Sequence, residues 1–238
     1  MKFFDLAYFA RALPQLLSKL HITLLVAFIS YALALLLGLF TAIVKIYKVP
    51  ILRHLASAYI SIIRGTPVMV QLFVVCFGVP KIIYYFKLKY GIFLSFNMNS
   101  ISPIYYAVLA LSLNFGAYMA ESIRATLEAV GVGQAEAALS VGMTYRQAML
   151  RIIIPQAIVI AMPVVQNGLI NAIIESSFVF AVGVVDVMGE AAIIGAREMA
   201  YIEVYVAAAV IYYIICRLCE GGFTYAEKNM RKYLKKIE

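Results

Sequence analysis

Apolar residues run along this chain in blocks too long for the core of a soluble domain, and polar residues gather where the blocks end. From Ile22 to Val44 no Asp, Glu, Lys or Arg occurs. At ~1.5 Å per residue those positions extend roughly 35 Å as a helix, more than a ~30 Å hydrocarbon layer. Lys45 and Lys48 close this first span, and residues 51–63 mix Arg53, His54, Ser57 and Ser61 with aliphatics, the pattern of an amphipathic elbow or the opening turns of a second span. Arg64-Gly65-Thr66-Pro67 then breaks the helix, because Gly is permissive and Pro disfavours helical geometry in the residue before it. The apolar run resumes at Val68 and reaches Pro80, and residues 80–100, with Lys81, Lys87, Lys89, Asn97 and Asn99, are predicted to form an aqueous loop. A third span is predicted over about 101–127, a fourth from near Ile152 and a last over about 201–219. Residues 176–196 are too apolar for an ordinary loop although Gly183, Asp186, Gly189 and Gly195 interrupt them. Irregular backbone at membrane depth needs protein or a cavity over it, so this part is predicted to be packed or re-entrant. At the N-terminus, Phe3, Leu6, Phe9, Leu13, Leu16, Leu17 and Leu20 recur at helical spacing opposite Lys2, Arg11, Gln15 and Lys19. That pattern suits a helix lying in the interface or a plain connecting segment. Asp5 and Arg11 break its apolar region and no small-x-small cleavage site follows, so it is expected to be retained.

Composition extends the picture to the whole chain. Residues are 64% hydrophobic and 13% charged, with a mean hydropathy of +0.93, so residues 1–238 are read as one all-α membrane domain of about five transmembrane helices. Its parts are an N-terminal interfacial segment (1–20), a polar loop (130–151) and a basic tail (220–238). A net charge of +8 does not mark a nucleic-acid binder here, because the basic residues are dispersed at the ends of apolar segments. They set the topology instead. Five spans put the termini on opposite sides; Lys2, Arg11, Lys19, Lys81, Lys87, Lys89 and Arg197 fall on one side and the remaining thirteen Lys/Arg on the other. The positive-inside rule therefore predicts an outside N-terminus, with the polar loop and C-terminus in the cytoplasm. Cys76, Cys216 and Cys219 all lie in apolar surroundings, and the Cys216/Cys219 spacing has no second pair or nearby His, so small apolar helix residues are expected rather than a metal or redox site. His21 and His54 are read as interfacial.

Polar residues inside the membrane-like sequence carry the chemistry. Gln134, Glu136, Ser140, Thr144, Tyr145, Arg146, Gln147 and Arg151 crowd between the third and fourth spans. Ala135, Ala137 and Ala138 give a short helix there a thin face that can approach another backbone closely, Gly142 lets the chain turn, and Tyr145 and Arg146 begin a second helical stretch. A solvated interhelical loop and an element seated in a groove of a cytoplasmic partner both fit. In the fourth span Asn167, Asn171 and Glu175 recur every four residues and form one polar stripe, with Gln166 extending it or packing beside it. An ionisable group in a membrane helix costs about 2.5–3.5 kcal/mol even on the translocon scale, so it faces a cavity or a partner. A structural stripe bonded to a neighbouring helix is the alternative. Asn114, midway along the third span, either lines the same path or bonds another helix. Glu121 and Arg124, three apart on one face, read as a local ion pair ahead of a gate element, and Arg64 as an anchor at the cytoplasmic edge. No Gly-rich phosphate loop with a following Lys occurs, so energy from ATP would have to come from another chain.

Several segments together resemble one family. Glu136-Ala137-Ala138, three residues, Gly142, nine residues, Ile152, one residue, Ile154 and Pro155 is similar to the EAA loop of binding-protein-dependent ABC importer permeases, with Ile154 where Leu is usual. Arg64-Gly65-Thr66-Pro67 with Val70-Gln71-Leu72-Phe73, and Ala117-Tyr118-Met119-Ala120-Glu121-Ser122-Ile123-Arg124, resemble segments of its polar amino acid branch, which includes histidine, glutamine, arginine and cystine permeases. Gly131 to Gln134, Pro155-Gln156-Ala157 and Gly183-Val184 also fit, so the resemblance covers roughly residues 20–215. It implies the type I ABC importer permease fold, with Glu136, Ala137, Ala138, Gly142 and Arg146 on a cytoplasmic coupling helix that sits in a cleft of the ATP-binding subunit. Glu175-Ser176-Ser177 aligns with a Lys-Asp/Glu-Thr/Ser-Ser segment near the substrate site, with Ile174 in place of Lys, which leaves the site more acidic. Asn167, Asn171, Glu175, Ser176 and Asn114 are the substrate-binding candidates. Counting from Pro155 puts Glu175 near the outer boundary and the resemblance puts it deeper, a tension that an earlier helix start or a tilt would relieve.

The implied function is the non-enzymatic membrane subunit of an ATP-driven importer of a polar, possibly cationic, amino acid in the cytoplasmic membrane. Its implied partners are two ATP-binding cassette subunits, which hold ATP and Mg, a second permease subunit (itself or a paralogue) and an extracytoplasmic amino-acid-binding protein; no cofactor, metal or nucleic acid is expected on this chain. The rival is an ion- or proton-coupled secondary transporter in which Glu175 is the coupling site. No inverted internal repeat supports it.

Overall fold

The computed structural model describes residues 4–91 and 101–234, which contain helices and no strand. The chain runs through α1 (Leu6–Ser18), α2 (Leu20–Ile46), α3 (Leu52–Arg64), α4 (Val68–Tyr90), α5 (Pro103–Ala129), α6 (Val132–Ser140), α7 (Tyr145–Val182), α8 (Val187–Glu198) and α9 (Tyr201–Leu234). α2, α4, α5, α7 and α9 are long and apolar enough to cross a membrane, five candidate spans among the described residues. Two are not uniform. α4 widens into a π turn over Val74–Gly78 and α7 over Met149–Ile153, and each widened turn ends just before a proline, Pro80 or Pro155. A proline has no N–H and its ring collides with the carbonyl four residues back, and the wider turn accommodates both without ending the helix.

That accommodation corrects the predicted loop over residues 80–100. The helix continues through Lys81, Lys87 and Lys89 to Tyr90, where Gly91, at φ +63°, closes it by donating to the Lys87 carbonyl at 3.2 Å. The expected span from Val68 to Pro80 was too short to cross a bilayer, and the lysines extend it because their stems tolerate apolar surroundings. Asn97 and Asn99 lie outside the described residues, as do Lys2, Phe3, Lys235 and Lys236. The fourth span also begins earlier than Ile152, at Tyr145.

The bundle is built on α2 and α5. A Cβ added to Gly38 of α2 would lie 2.7 Å from Met119 Cβ and 3.0 Å from the Ala120 backbone nitrogen, so only glycine fits. Small residues continue the seam, with Ala27 and Ala34 on α2 and Ala107 and Ala110 on α5, all buried. Leu72 and Cys76 of α4 and Leu169, Ala172 and Ile173 of α7 complete this core. A second core joins Ala12 and Leu16 of α1 to Val187, Ala191 and Ile194 of α8 and Val204 and Ala207 of α9. The N-terminal segment is therefore a packed helix, not a connector. Asp5 caps it by accepting from Ala7 N–H at 2.8 Å, while the Asp5 N–H donates to Glu203 Oε1 at 2.9 Å.

Residues 176–186 fold as predicted for packed backbone. A 3₁₀ segment, Ser176–Val182, ends at Gly183 (φ +90°), where Val184 N–H reaches the Val179 carbonyl at 3.2 Å. Asp186 follows, fully buried, and its carboxylate accepts from Gly189 N–H at 2.9 Å, Thr23 Oγ1 at 3.2 Å and Tyr212 Oη at 3.1 Å. One side chain thus caps α8 and ties it to α2 and α9. Asp186→Ala strands these donors and is expected to destabilise the fold by at least about 1–3 kcal/mol. Asp186→Asn, which keeps an acceptor, should lose less. Thermal unfolding in detergent measures both, and an unchanged midpoint for Asp186→Ala would contradict the assignment.

Candidate coupling element and transport path

The polar loop is one built element. Gly131 at φ +82° opens α6, and a paired motif closes it: Met143 N–H donates to the Ala138 carbonyl at 3.1 Å and Gly142 N–H to the Leu139 carbonyl at 3.0 Å, with Gly142 at φ +84°. This is the glycine-dependent helix stop in which a left-handed residue satisfies the last carbonyls. Two residues later Thr144 starts α7 with a reciprocal cap: its Oγ1 accepts from Gln147 N–H at 3.3 Å, and its own N–H donates to Gln147 Oε1 at 2.8 Å.

Glu136, Ala137, Gly142 and Arg146 are exposed on this element, and Ala138 is turned inward at 2% exposure. Ala138 and the buried Ala148 let α6 lie against the first turns of α7, where Gln156 Nε2 also meets Gln134 Oε1 at 3.4 Å. Leu139, Val141, Tyr145 and Leu150 stay exposed around the same element. The exposed side chains of this element thus include four large apolar ones as well as Glu136 and Arg146.

The second group lies further along α7. Asn167 and Asn171 are exposed and Glu175 is half-buried, and none of the three makes a hydrogen bond or ion pair among the described residues. Gln166 beside them is half-buried. The other candidates are placed differently. Ser176 is fully buried and donates to the Ile173 carbonyl at 2.7 Å. Asn114 is buried in α5 and donates to Gln71 Oε1 at 2.9 Å, the interhelix bond that was the alternative for it.

Contacts fix the level of the stripe. Tyr31, near the middle of α2, donates to the Val165 carbonyl at 2.8 Å. Glu175 lies ten residues beyond Val165, ~15 Å along the helix, toward the end of the bundle that holds Thr23 and Asp186. Starting α7 at Tyr145 lengthens the helix below the stripe and leaves Glu175 toward that end.

The opposite end is tied by charge. Glu121 of α5 receives Lys45 of α2 and, at 2.9 and 3.0 Å, two nitrogens of Arg124, whose Nη1 also reaches Glu128 at 2.5 Å. The Glu121–Arg124 pair was legible from spacing. Lys45 was not, because it belongs to a different helix. Gln71 was missed too: its Nε2 lies 2.7 Å from the Ile63 carbonyl and 2.8 Å from Thr66 Oγ1, so it locks the Arg64-Gly65-Thr66-Pro67 break while its oxygen receives Asn114. Arg64 is exposed, its guanidinium 5.5 Å from the centre of the Tyr118 ring, beside the middle of α5 instead of at an edge. Among the described residues no group of His, Cys, Asp and Glu could hold a metal ion.

Residues 34–232 match the family model described as a binding-protein-dependent transport system inner membrane component. The L-cystine transport system permease protein TcyL of Bacillus subtilis is 37% identical over 236 residues, which cover 99% of this chain and 95% of that protein. The arginine transport system permease protein ArtQ of the same organism is 34% identical over 94% of each chain. A crystal structure of an amino acid ABC transporter with histidines contains a chain that superposes with a TM-score of 0.81 at 34% identity, over 96% of this chain and 100% of that one.

The charge tie between α2 and α5 is testable by itself. Lys45→Ala and Glu121→Ala should each lower the unfolding midpoint, and a double-mutant cycle should return a coupling of roughly 0.5–3 kcal/mol, as for contacting residues in one network. Additive losses would show that the pair does not hold the helices.

Proposed function

The chain belongs to the family of binding-protein-dependent transport system inner membrane components, as a permease subunit of an ABC importer whose ATPase is a separate subunit, and on that premise we propose how it moves its substrate. The cargo is a polar amino acid, which engages the Asn167–Asn171–Glu175 stripe: Glu175 attracts the ammonium group or a cationic side chain, and the two amides supply neutral hydrogen bonds. Ser176 and Asn114 serve this site indirectly, one by holding the turn below Glu175 and the other by holding α5 to α4. Glu136, Ala137, Gly142 and Arg146 meet the ATP-binding subunit, with Ala138 as the packing contact behind them. That subunit binds the ATP and Mg.

One observation carries the reading. α7 runs without a break from Tyr145 to Val182, through the widened turn before Pro155 and past Pro163, so the coupling element and the polar stripe are two stations on one continuous helix. A displacement of α6, transmitted at Ala138 and Ala148, moves the stripe with it. Two copies of this chain, or one and a paralogue, enclose the path between their exposed stripes, and an extracytoplasmic binding protein delivers the amino acid at the Thr23–Asp186 end. The coupling element and the C-terminus face the cytoplasm and the N-terminus lies outside, a reading that the excess of basic residues on the cytoplasmic side supports. The relatives described above carry names of cystine and arginine transport, and a site with one carboxylate and two amides accommodates either. None of the relatives described above is an ion-coupled transporter.

Glu175→Gln removes the charge while keeping the shape. A hydrogen bond to a charged group is worth about 1.5–3 kcal/mol, so uptake by the complete assembly should fall roughly tenfold or more. The ranking of cationic over neutral amino acids should flatten as well. Uptake of labelled amino acids into proteoliposomes measures both, and an unchanged rate and ranking would remove Glu175 from the site.

A further inference from the structure

Two guanidinium groups from different helices line one cleft. Tyr8, Arg11 and Gln15 come from α1, and Ile194, Arg197 and Glu198 from α8. The helices bring them together because Ala12 and Leu16 share a buried core with Ala191, Ile194 and Val204. Each arginine is oriented by its inner nitrogen. Arg11 Nε donates to the Ala7 carbonyl at 3.3 Å, and its guanidinium lies 4.6 Å from the centre of the Tyr8 ring. Arg197 Nε donates to Glu198 Oε1 at 3.0 Å. The terminal nitrogens of both arginines make no hydrogen bond or ion pair among the described residues. Two cations thus meet a single carboxylate that is already engaged, and the cleft is left with an excess of positive charge. Arg197 lies in the last turn of α8, where the helix dipole alone would favour it. Arg11 is midway along α1 and has no such reason to be there.

The cleft stands where the bundle enters the membrane. Val204 also lines it and is three residues past Tyr201, the start of the span in α9, ~5 Å along the helix. α1 passes into the span α2 through the single residue Lys19. Both connections place α1 beside the headgroup layer. The surroundings agree, because Leu6 and Leu17 of α1, Ile193 of α8 and Ile202 of α9 are exposed large apolar side chains. A phospholipid offers acyl chains to such a surface and a phosphate to the cations next to it.

We propose that Arg11 and Arg197 bind the phosphodiester of an anionic phospholipid between α1 and α8. A phosphodiester shares one negative charge over its free oxygens, and the fork of a guanidinium matches such a pair of acceptors. The Tyr8 ring holds the plane of Arg11 in place. A zwitterionic headgroup would bring its own cation against the two arginines, whereas the glycerol of phosphatidylglycerol is neutral, so the cleft selects the anionic lipid. The bound lipid bridges α1 to α8, which Asp186 in turn ties to α2 and α9. A ligand that binds only the folded bundle stabilises it.

The test titrates the complete permease–ATPase assembly in detergent with phosphatidylglycerol or with phosphatidylcholine of the same acyl chains, and native mass spectrometry counts the bound lipid. The unmodified assembly should hold phosphatidylglycerol the more tightly. Arg11→Gln and Arg197→Gln should each weaken it by about tenfold or more and leave phosphatidylcholine as before, and Arg11→Lys, which keeps the charge but not the fork, should weaken it less. Lys81→Gln, which changes an exposed lysine outside the cleft, should have no effect. Phosphatidylglycerol should also raise the unfolding midpoint of the unmodified assembly and not that of Arg197→Gln. Inorganic phosphate in excess should leave the lipid in place, because it cannot cover the apolar surface; full displacement would make this a site for free phosphate and overturn the proposal. Equal affinity for the two lipids, unchanged affinity for phosphatidylglycerol in both arginine variants, or an equal loss in Lys81→Gln would overturn it as well. So would failure of both arginine variants to assemble with either lipid, which would assign the pair to packing.

Discussion

The approach of α2 to α5 at Gly38 sets the geometry of the whole bundle. With 2.7 Å between an added Cβ and Met119 Cβ, no side chain fits. Lipid tails supply no hydrophobic force to press helices together, so association depends on close packing and on interhelical hydrogen bonds. The seam provides both. Ala34 and Gly38 let the backbones meet, Ser30 Oγ reaches the Val108 carbonyl at 3.4 Å, and Tyr31 Oη reaches Met119 Sδ at 3.3 Å and the Val165 carbonyl at 2.8 Å. Tyr31 therefore bonds across the seam to α7, and Lys45 on Glu121 closes the seam at its basic end.

Against this frame the proposed transmission runs along α7. Its first turns carry α6 through Ala138, its middle leans on Tyr31 and Met119 at Gly168, and its last turns end in the carboxylate of Glu175. The widened turn before Pro155 lies between the coupling element and the stripe. A wide turn alters the helix locally while leaving it continuous, so the coupling element and the stripe stay on one helix across it. Asp186 keeps the far end still: its three accepted hydrogen bonds join α8 to α2 and α9.

Much of this was legible in the amino-acid sequence because membrane helices announce themselves by uninterrupted apolar length. The spans at 22–44, 101–127 and 201–219 match α2, α5 and the membrane-crossing part of α9. The packed character of residues 176–196 was readable too, since lipid forbids exposed irregular backbone. The glycine stop of α6 was readable at Gly142, and the coupling role proposed for this element came from its resemblance to the EAA loop of ABC importer permeases. What escaped depends on partners distant in the chain. Lysines at 81, 87 and 89 look like loop residues until a tolerated proline carries the helix past them. Asp186 looks like an interruption until Thr23 and Tyr212 arrive. Ala138 shares the composition of Ala137, and only packing shows that one faces in and the other out. Asn114 and Gln71 are each ambiguous in isolation, and become a structural pair when α4 and α5 meet.

The central claim is that the coupling element and the polar stripe move as one body. Its most direct measure is the number of ATP molecules hydrolysed per amino acid taken up by the complete transporter in proteoliposomes, with and without the change Gly142→Ala. At φ +84° a Cβ strains the stop of α6 and displaces its contact with α7, so hydrolysis should continue while uptake falls by a factor of about 2–30, the effect of a 0.5–2 kcal/mol loss of coupling. The ratio should therefore rise by that factor. An assembled variant whose ratio equals that of the unmodified transporter would contradict the account.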